Sequence, residues 1–216
     1  MSAIRSMPWA ARVITAILIV LTPVPAASLP PLIWQSVANK DGVLVERREQ
    51  EGSSLYEMRA TAESPLPPAE IFATIWRQRE HPQFVPYLKR LDVLFEVGNE
   101  RLTYEQIAVP LAQDRDYTVR LERHADPATQ RYEVVFATAN NAGPGPDKNH
   151  QRVSAIRGRW LVEPGPGGLG SRLHYEVFSD PGGALPAWLI NRTQGSAVAK
   201  LVRAMLDRAA RSARAK

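Results

Sequence analysis

Short segments in which apolar and polar residues alternate recur along the chain, and this alternation is the pattern of half-buried β-strands. Two early strands are predicted at 42–48 and 55–63, joined by a connection that contains Gly52. Six further strands are predicted at 91–97, 101–109, 116–123, 131–138, 153–162 and 172–179. Because turn residues separate these short strands at regular intervals, they indicate one meandering antiparallel sheet.

Two segments show the spacing of an amphipathic helix instead. Apolar residues three and four positions apart predict a helix over 68–79, after a proline cluster that suits a helix start. The same spacing predicts a longer helix over 186–212, and Gly195 inside it is expected to weaken or bend it. The predicted fold class is therefore α+β: a curved antiparallel sheet wrapped around one long C-terminal helix.

The N-terminus carries a separate pattern. An apolar run at 13–21 follows a basic segment and is too short for a membrane-spanning helix, which needs roughly 20 apolar residues. Small residues follow at 24–27, as at the cleavage site of a secretory signal peptide. We expect residues 1–27 to be a signal peptide, residues 28–216 to form one domain, and the protein to be exported, in the periplasm of a bacterium. The alternative is an N-terminal membrane anchor that stays uncut.

Composition excludes several kinds of site. The 216 residues include no cysteine, so disulfide scaffolds, thiol catalysis and iron–sulfur clusters are ruled out. The net charge of +5 is small and mixed with 22 acidic residues, which does not indicate a nucleic-acid partner. The four histidines lie apart, without zinc-ligand spacing, and no serine-nucleophile motif occurs. We therefore predict no cofactor and no metal.

A curved sheet closed by a single helix leaves space to be filled. Its concave face must either carry large side chains or enclose a cavity. Aromatic residues make up only 7% of the chain, so large side chains alone would fill this space poorly. An apolar pocket between sheet and helix is the natural ligand hypothesis. A fully packed α+β core is the alternative, and composition alone slightly favours it.

Three segments, taken in order, resemble the StAR-related lipid transfer (START) domain. They are Val109-Pro110 followed by DRDYTVR at 114–120, IRGRWLVEP at 156–164, and DPGGALPAWLIN at 180–191. The resemblance covers residues 34–212, and departs from the family at Phe84, where a tryptophan is expected, and in the glycine- and proline-rich connection 139–151. It implies the helix-grip fold, a hydrophobic tunnel for one lipid or sterol-like molecule with the C-terminal helix as part of its lid, and carriage rather than catalysis.

The resemblance also implies a carboxylate and an arginine inside the tunnel, and the matching positions are Glu105 and Arg120. A buried charge is tolerated only when it is paired, and such a pair could bind a ligand hydroxyl or head group. Strand alternation leaves an alternative open, in which Arg120 and Glu122 form a solvated face while Tyr117 packs inward. The other predicted ligand contacts are the polar residues Tyr104, Arg157 and His174, and the lid residues Trp188, Leu189 and Met205.

The expected partner is a lipid, a sterol-like molecule or another hydrophobic small molecule, bound by a monomer. One rival is an aromatase/cyclase-like enzyme on the same fold, with His174 beside Glu176 or Arg120 as its acid–base group. Another rival is an envelope scaffold with a packed interior and no ligand. The basic segment 197–216 could contact an anionic membrane transiently; alternatively, its apolar stripe packs into the core and its polar face is solvated.

Overall fold

The computed structural model describes residues 33–110 and 112–215, and the predicted signal peptide falls outside them. The strands are β1 (Gln35–Lys40), β2 (Val43–Glu49), β3 (Tyr56–Ser64), β4 (Leu88–Val97), β5 (Glu100–Ile107), β6 (Arg115–Asp126), β7 (Arg131–Thr138), β8 (Gln151–Arg152), β9 (Ala155–Pro164) and β10 (Ser171–Asp180). The α-helices are α1 (Pro68–Trp76) and α2 (Ala187–Arg214). The described residues include no helix long and apolar enough to cross a membrane.

All ten strands belong to one sheet, in the order β1-β2-β3-β10-β9-β7-β6-β5-β4, with β8 paired to β6. Every neighbouring pair along this order is antiparallel, and only the short β8 pairs in parallel. After β3 the chain crosses through α1 to β4 at the far edge, and β10 returns to lie between β3 and β9. This arrangement confirms the predicted α+β helix-grip fold.

The eight predicted strands are present, with ends within a few residues of those expected, whereas β1 and β8 were not predicted. All six residues of β1 are exposed, so this strand carries no buried–exposed alternation that sequence could reveal. The strand β8 has only two residues, too few for any pattern. Both are positioned by their neighbours in the sheet rather than by their own residues.

The helix predicted over 68–79 is shorter in the structure. It begins at Pro68, whose fixed φ suits the first turn, and ends at Trp76. The backbone of Arg77 leaves the helical region (φ −78°, ψ 53°). A 3₁₀ helix (Gln78–Gln83) follows and contains Pro82, which lacks the amide hydrogen that an α-helix would use there.

Helix α2 packs its apolar stripe into the core, which favours the core alternative for this stripe over a membrane contact. The buried residues of the stripe are Val198, Val202, Met205, Leu206 and Ala209. The helix continues through Gly195 without interruption. Packing against the sheet outweighs the roughly 1 kcal/mol that a glycine costs within a helix.

The sheet has an inner face, which packs against α1 and α2, and an opposite outer face. Directly opposed residues of antiparallel strands point to the same side. Val202 of α2 shares a core cluster with Tyr117 and Val119 of β6, which therefore belong to the inner face. Glu105 of β5 lies opposite Tyr117, on the inner face as well. Strand alternation then directs Arg120 to the outer face.

Candidate functional site

A cleft of about 470 Å³ lies between the first half of α2 and the β1–β2 hairpin. Its floor is apolar, with Val43 and Met58 from the inner face of the sheet and Ala199 from the helix. Its rim is charged, mostly by lysines and arginines. We call this space the α2–hairpin cleft. It occupies the place where the sequence predicts a pocket, between sheet and capping helix, but it is less apolar than expected.

A second feature of the inner face is a carboxylate that lies among hydroxyl groups. Glu105 accepts hydrogen bonds from the hydroxyl of Tyr117 at 2.8 Å and from the hydroxyl of Thr103 at 3.0 Å. Among the described residues, no lysine, arginine or histidine lies within ion-pair distance of it. Burial raises the pKa of Glu105, because desolvation disfavours the ionised form and the two hydrogen bonds offset this only in part.

Aromatic rings surround this carboxylate. The indole of Trp160 stacks on the ring of Tyr175, with centroids 4.0 Å apart. Burial, together with the nearby Glu105 carboxylate, raises the pKa values of Tyr117 and Tyr175. Glu105 and the inward-facing Phe136 nevertheless keep partial accessibility rather than being fully covered.

The predicted pairing of Glu105 with Arg120 is wrong. Arg120 lies on the outer face, where its side chain is 55% exposed and its Nη1 donates to Glu100 Oε2 at 2.9 Å. The physical reason is strand parity: Tyr117 and Leu121 occupy the inward positions of β6, and Arg120 falls between them. The solvated-face alternative for Arg120 is therefore the one that the structure contains.

Tyr104 also points away from the inner face. Its hydroxyl donates to Asp116 Oδ2 at 3.0 Å, and it accepts from Gln106 Nε2 at 3.0 Å. Asp116 is fully buried and is held by two hydrogen bonds from Arg152, at 2.9 and 2.8 Å. This outer-face network is satisfied by protein groups, which corrects the prediction that Tyr104 contacts a ligand.

Arg157 and His174 complete the set of outer-face residues. Arg157 is exposed, lies over the ring of Phe178 at 4.3 Å and donates to a glutamine of the β2–β3 connection. His174 contacts Thr61 Oγ1 at 3.2 Å and Glu163 Oε1 at 3.5 Å, in a shallow outer groove. Burial lowers the pKa of His174. Neither residue reaches the inner face, so both predicted contacts are corrected, and His174 is not placed to serve as a base there.

The three predicted lid residues lie on α2 in different environments. Trp188, in the first turn, is 66% exposed. Leu189 is half-buried, and Met205 is fully buried within the core cluster. None of the eight predicted contacts lines the α2–hairpin cleft, although the structure describes them all. Only Glu105 among the predicted polar residues faces the inner side of the sheet.

The inward-facing arginines that were not predicted include Arg47 and Arg101. Arg47 lines the α2–hairpin cleft and lies opposite Met58 in the sheet register. Arg101 is buried at the other end of the inner face of β5, stacked 3.9 Å from the ring of Trp76. Strand alternation was the available signal for Arg47, because it follows Val43 and Val45 at two-residue spacing.

Comparisons with known proteins agree with this architecture. A family model described as START domain matches residues 32–214. The phosphatidylcholine transfer protein of Bos taurus is 26% identical over 180 residues, which cover 80% of this chain and 82% of that protein. A STAR-related lipid transfer protein fragment from Xanthomonas axonopodis superimposes with a TM-score of 0.74 and 20% identity, covering 82% of this chain and 98% of that one.

The fold is shared with enzymes as well. An aromatase/cyclase from Streptomyces sp. R1128 matches with a TM-score of 0.53 and 13% identity, covering 72% of this chain and 93% of that one. At this identity the likeness is one of fold alone. Within the described residues, no cluster of three or more histidine, aspartate or glutamate side chains is arranged to hold a metal ion.

Proposed function

This chain belongs to the START-domain family, and from that premise we propose that it binds one lipid molecule between the inner face of the sheet and α2 and carries it chemically unchanged. The observation on which this proposal rests is the α2–hairpin cleft, an open space at the sheet–helix boundary with an apolar floor. Apolar burial would supply most of the affinity, on the order of 25 cal/mol per Å² before the costs of association.

The similarity to phosphatidylcholine transfer proteins supports carriage over catalysis, because those relatives are named for moving a lipid. Glu105, on the inner face outside the α2–hairpin cleft, supports a specific polar contact for a lipid that reaches along this face. A carboxyl group with a raised pKa can be protonated when a ligand excludes the remaining water, and can then donate a hydrogen bond to a lipid carbonyl or hydroxyl. Tyr117 holds its other oxygen in place.

Entry of a lipid requires that part of the helix layer moves, and the first part of α2 is the least strongly packed. The buried residues of α2 begin at Val198, more than two turns after its start. Before that point, Asn191 bonds to Tyr56 N at 3.2 Å and to Ser54 O at 2.9 Å, and Gln194 bonds to Ser179 O at 3.2 Å. We therefore propose that this end of the helix opens.

A vesicle transfer assay tests the proposal. The protein should speed the movement of at least one of two fluorescent lipids, a phosphatidylcholine and a phosphatidylglycerol, between donor and acceptor vesicles at least about tenfold over the protein-free rate. Ala199→Trp should fill the α2–hairpin cleft and abolish the acceleration, whereas Ala197→Trp, on the exposed side of the same turn, should leave it unchanged. Equal activity of the two variants, or no transfer by the wild type, would refute carriage through this space.

The same assay addresses the two rivals. Lipid extracted after many transfer cycles should have an unchanged mass; a changed mass would indicate an enzyme. A scaffold without a ligand would transfer nothing and would yield no lipid on extraction.

We propose in addition that the protein acts as a monomer and that the basic end of α2, with Arg211 and Arg214, helps it approach anionic membranes.

We propose further that residues 1–27 direct export to the periplasm and are then removed. The support is the sequence pattern alone: a short apolar run followed by small residues. The intact mass of protein isolated from the envelope fraction should correspond to a chain that begins at Ser28. A mass that includes Met1 would favour the uncut anchor.

A further inference from the structure

The α2–hairpin cleft concentrates positive charge. Five cationic side chains line it, and one carboxylate, Asp41, accompanies them. The cations are Lys40 and Arg47 from the hairpin and Arg192, Lys200 and Arg203 from α2. They come from two separate elements that face each other, so the fold brings like charges together across an open space. Such an arrangement favours an anionic occupant.

Protein groups do not neutralise most of these cations. Arg203 pairs with Asp207 at 2.6 Å, and Lys200 donates to the hydroxyl of Tyr87 at 3.2 Å. Within residues 33–110 and 112–215, Lys40, Arg47 and Arg192 have no carboxylate at ion-pair distance. Three cations are therefore available to a ligand.

Arg47 is the most informative of the three. It lies on the inner face opposite Met58, with its guanidinium 4.5 Å from the ring centre of Tyr56. Its Nε is buried and has no hydrogen-bond partner among the residues that the structure describes. A buried donor without an acceptor is destabilising, so an acceptor supplied by a ligand would be stabilising. The guanidinium fork matches a phosphate group, which can accept two of its hydrogen bonds.

We infer that the α2–hairpin cleft binds the phosphate group of a lipid that carries a net negative charge. The inference rests on the proposed lipid-binding function and specifies the class of lipid. The apolar floor at Met58 and Val43 suits the glycerol and the start of the acyl chains, while the rim holds the phosphate. A choline head group would add another cation to this cluster, so a phosphatidylglycerol-type head is preferred over a phosphatidylcholine-type one.

Binding of three short-chain, soluble probes tests the site: dihexanoyl phosphatidylglycerol, dihexanoylglycerol without phosphate, and glycerol 3-phosphate without acyl chains. Titrations followed by native mass spectrometry should give phosphatidylglycerol an affinity at least about tenfold above that of dihexanoylglycerol. Arg47→Gln and Arg192→Gln should each weaken phosphatidylglycerol about tenfold and change dihexanoylglycerol less than about twofold. Arg131→Gln removes the same charge from an exposed position of β7 and should change neither.

A steric pair of variants locates the site without changing charge. A Cβ at Gly195 would lie 3.6 Å from Met58 Cε and 3.7 Å from Val37 Cγ2, which is ordinary contact. Gly195→Ala should therefore bind phosphatidylglycerol as the wild type does, whereas Gly195→Leu should fill the cleft and weaken binding at least about tenfold. Both residues favour a helix more than glycine does, so the fold should tolerate them.

The outcomes separate this inference from the proposed function. Equal affinity for the two dihexanoyl lipids, unaffected by Arg47→Gln, would overturn the phosphate site and leave lipid binding intact. Binding of glycerol 3-phosphate as tight as that of phosphatidylglycerol would support a phosphate site but refute a lipid ligand. If none of the three probes binds, both proposals fail.

Discussion

Two carboxylates on neighbouring strands, Asp116 and Glu105, face opposite sides of the sheet and have opposite surroundings. On the outer face, Asp116 is held by two hydrogen bonds from Arg152 and one from Tyr104. On the inner face, Glu105 receives hydrogen bonds only from neutral hydroxyls, those of Tyr117 and Thr103. The first carboxylate is fully compensated within the protein, and the second has no cation beside it.

This difference distinguishes a carboxylate that stabilises the fold from one that is available to a ligand. An ion pair with complete hydrogen bonding fixes the end of β6 against β8 and the loop before it, and needs nothing further. An uncompensated carboxyl group in a protein interior is destabilising, and such groups persist where they serve a ligand or a reaction. The inner face is therefore the side on which we expect binding, and matched substitutions should distinguish the two carboxylates.

The largest effect is expected at Asp116. Asp116→Asn keeps the shape of the side chain but removes the charge that Arg152 requires, so the guanidinium is left without its counterion. The free energy of unfolding should fall by about 3 kcal/mol. Urea unfolding at pH 7.5 measures it. A loss below about 1 kcal/mol would mean that this carboxylate is no better compensated than Glu105.

The next largest effect on the free energy of unfolding is expected from His81. Its contribution changes with pH and must be known before the stabilities of other variants are compared at different pH values. Burial lowers the pKa of His81 to about 4, although its Nε2 lies 3.2 Å from Thr74 O. The unfolded chain binds this proton near pH 6.5 and the folded chain does not, so stability should fall as the pH drops from about 6.5 to 4. The total loss in the free energy of unfolding is about 3 kcal/mol.

His81→Gln keeps a hydrogen-bond donor and should remove this acid dependence. Urea unfolding of both proteins at pH 7.5 and 4.5 is the measurement. If the variant loses as much stability on acidification as the wild type, another group is responsible.

Glu105→Gln should change the free energy of unfolding in the opposite direction to Asp116→Asn. Because the folded pKa of Glu105 is raised, its contribution is fully present below its unfolded pKa, about 4.3, and is lost as the pH rises through the folded pKa. The variant should therefore be equal to or more stable than the wild type at pH 8, by up to about 1 kcal/mol, while lipid transfer is impaired. Unfolding at pH 5 and 8, made in the His81→Gln background, isolates the effect. A clear destabilisation at pH 8 would show that Glu105 is structural.

The smallest effect is expected at Arg120. Its pair with Glu100 is exposed on both sides, so Arg120→Ala should change the free energy of unfolding by less than about 0.5 kcal/mol. Vesicle transfer should be unchanged. A marked loss of transfer would place Arg120 at the ligand after all.

The sequence predicted the strands, the long helix and the family, because alternation and motif spacing are local properties that the chain displays directly. It did not decide which face of β6 is inward. Both faces of that strand carry polar residues, and the resemblance favoured Arg120 by position in the motif, whereas the sheet register buries Tyr117 and Leu121. The alternation of side chains along β6 was by itself compatible with either face pointing inward.

The α2–hairpin cleft could not be predicted for a different reason. It lies between α2 and β2, two elements that meet only in the folded chain, where Val198 and Val202 of α2 pack into the core cluster. Arg47 and Arg192 are 145 positions apart in sequence, and no local pattern connects them. Such a site becomes visible only when the sheet and the helix are assembled.

Native mass spectrometry of the protein purified from the cells that produce it, without added lipid, tests the proposed lipid-filled interior most directly. We predict one lipid adduct per chain, released when the protein is denatured and identified by its mass as a phosphate-bearing lipid of net negative charge. A clean mass of the bare chain, with no lipid recovered on extraction, would contradict the central claim that the inner face encloses a lipid.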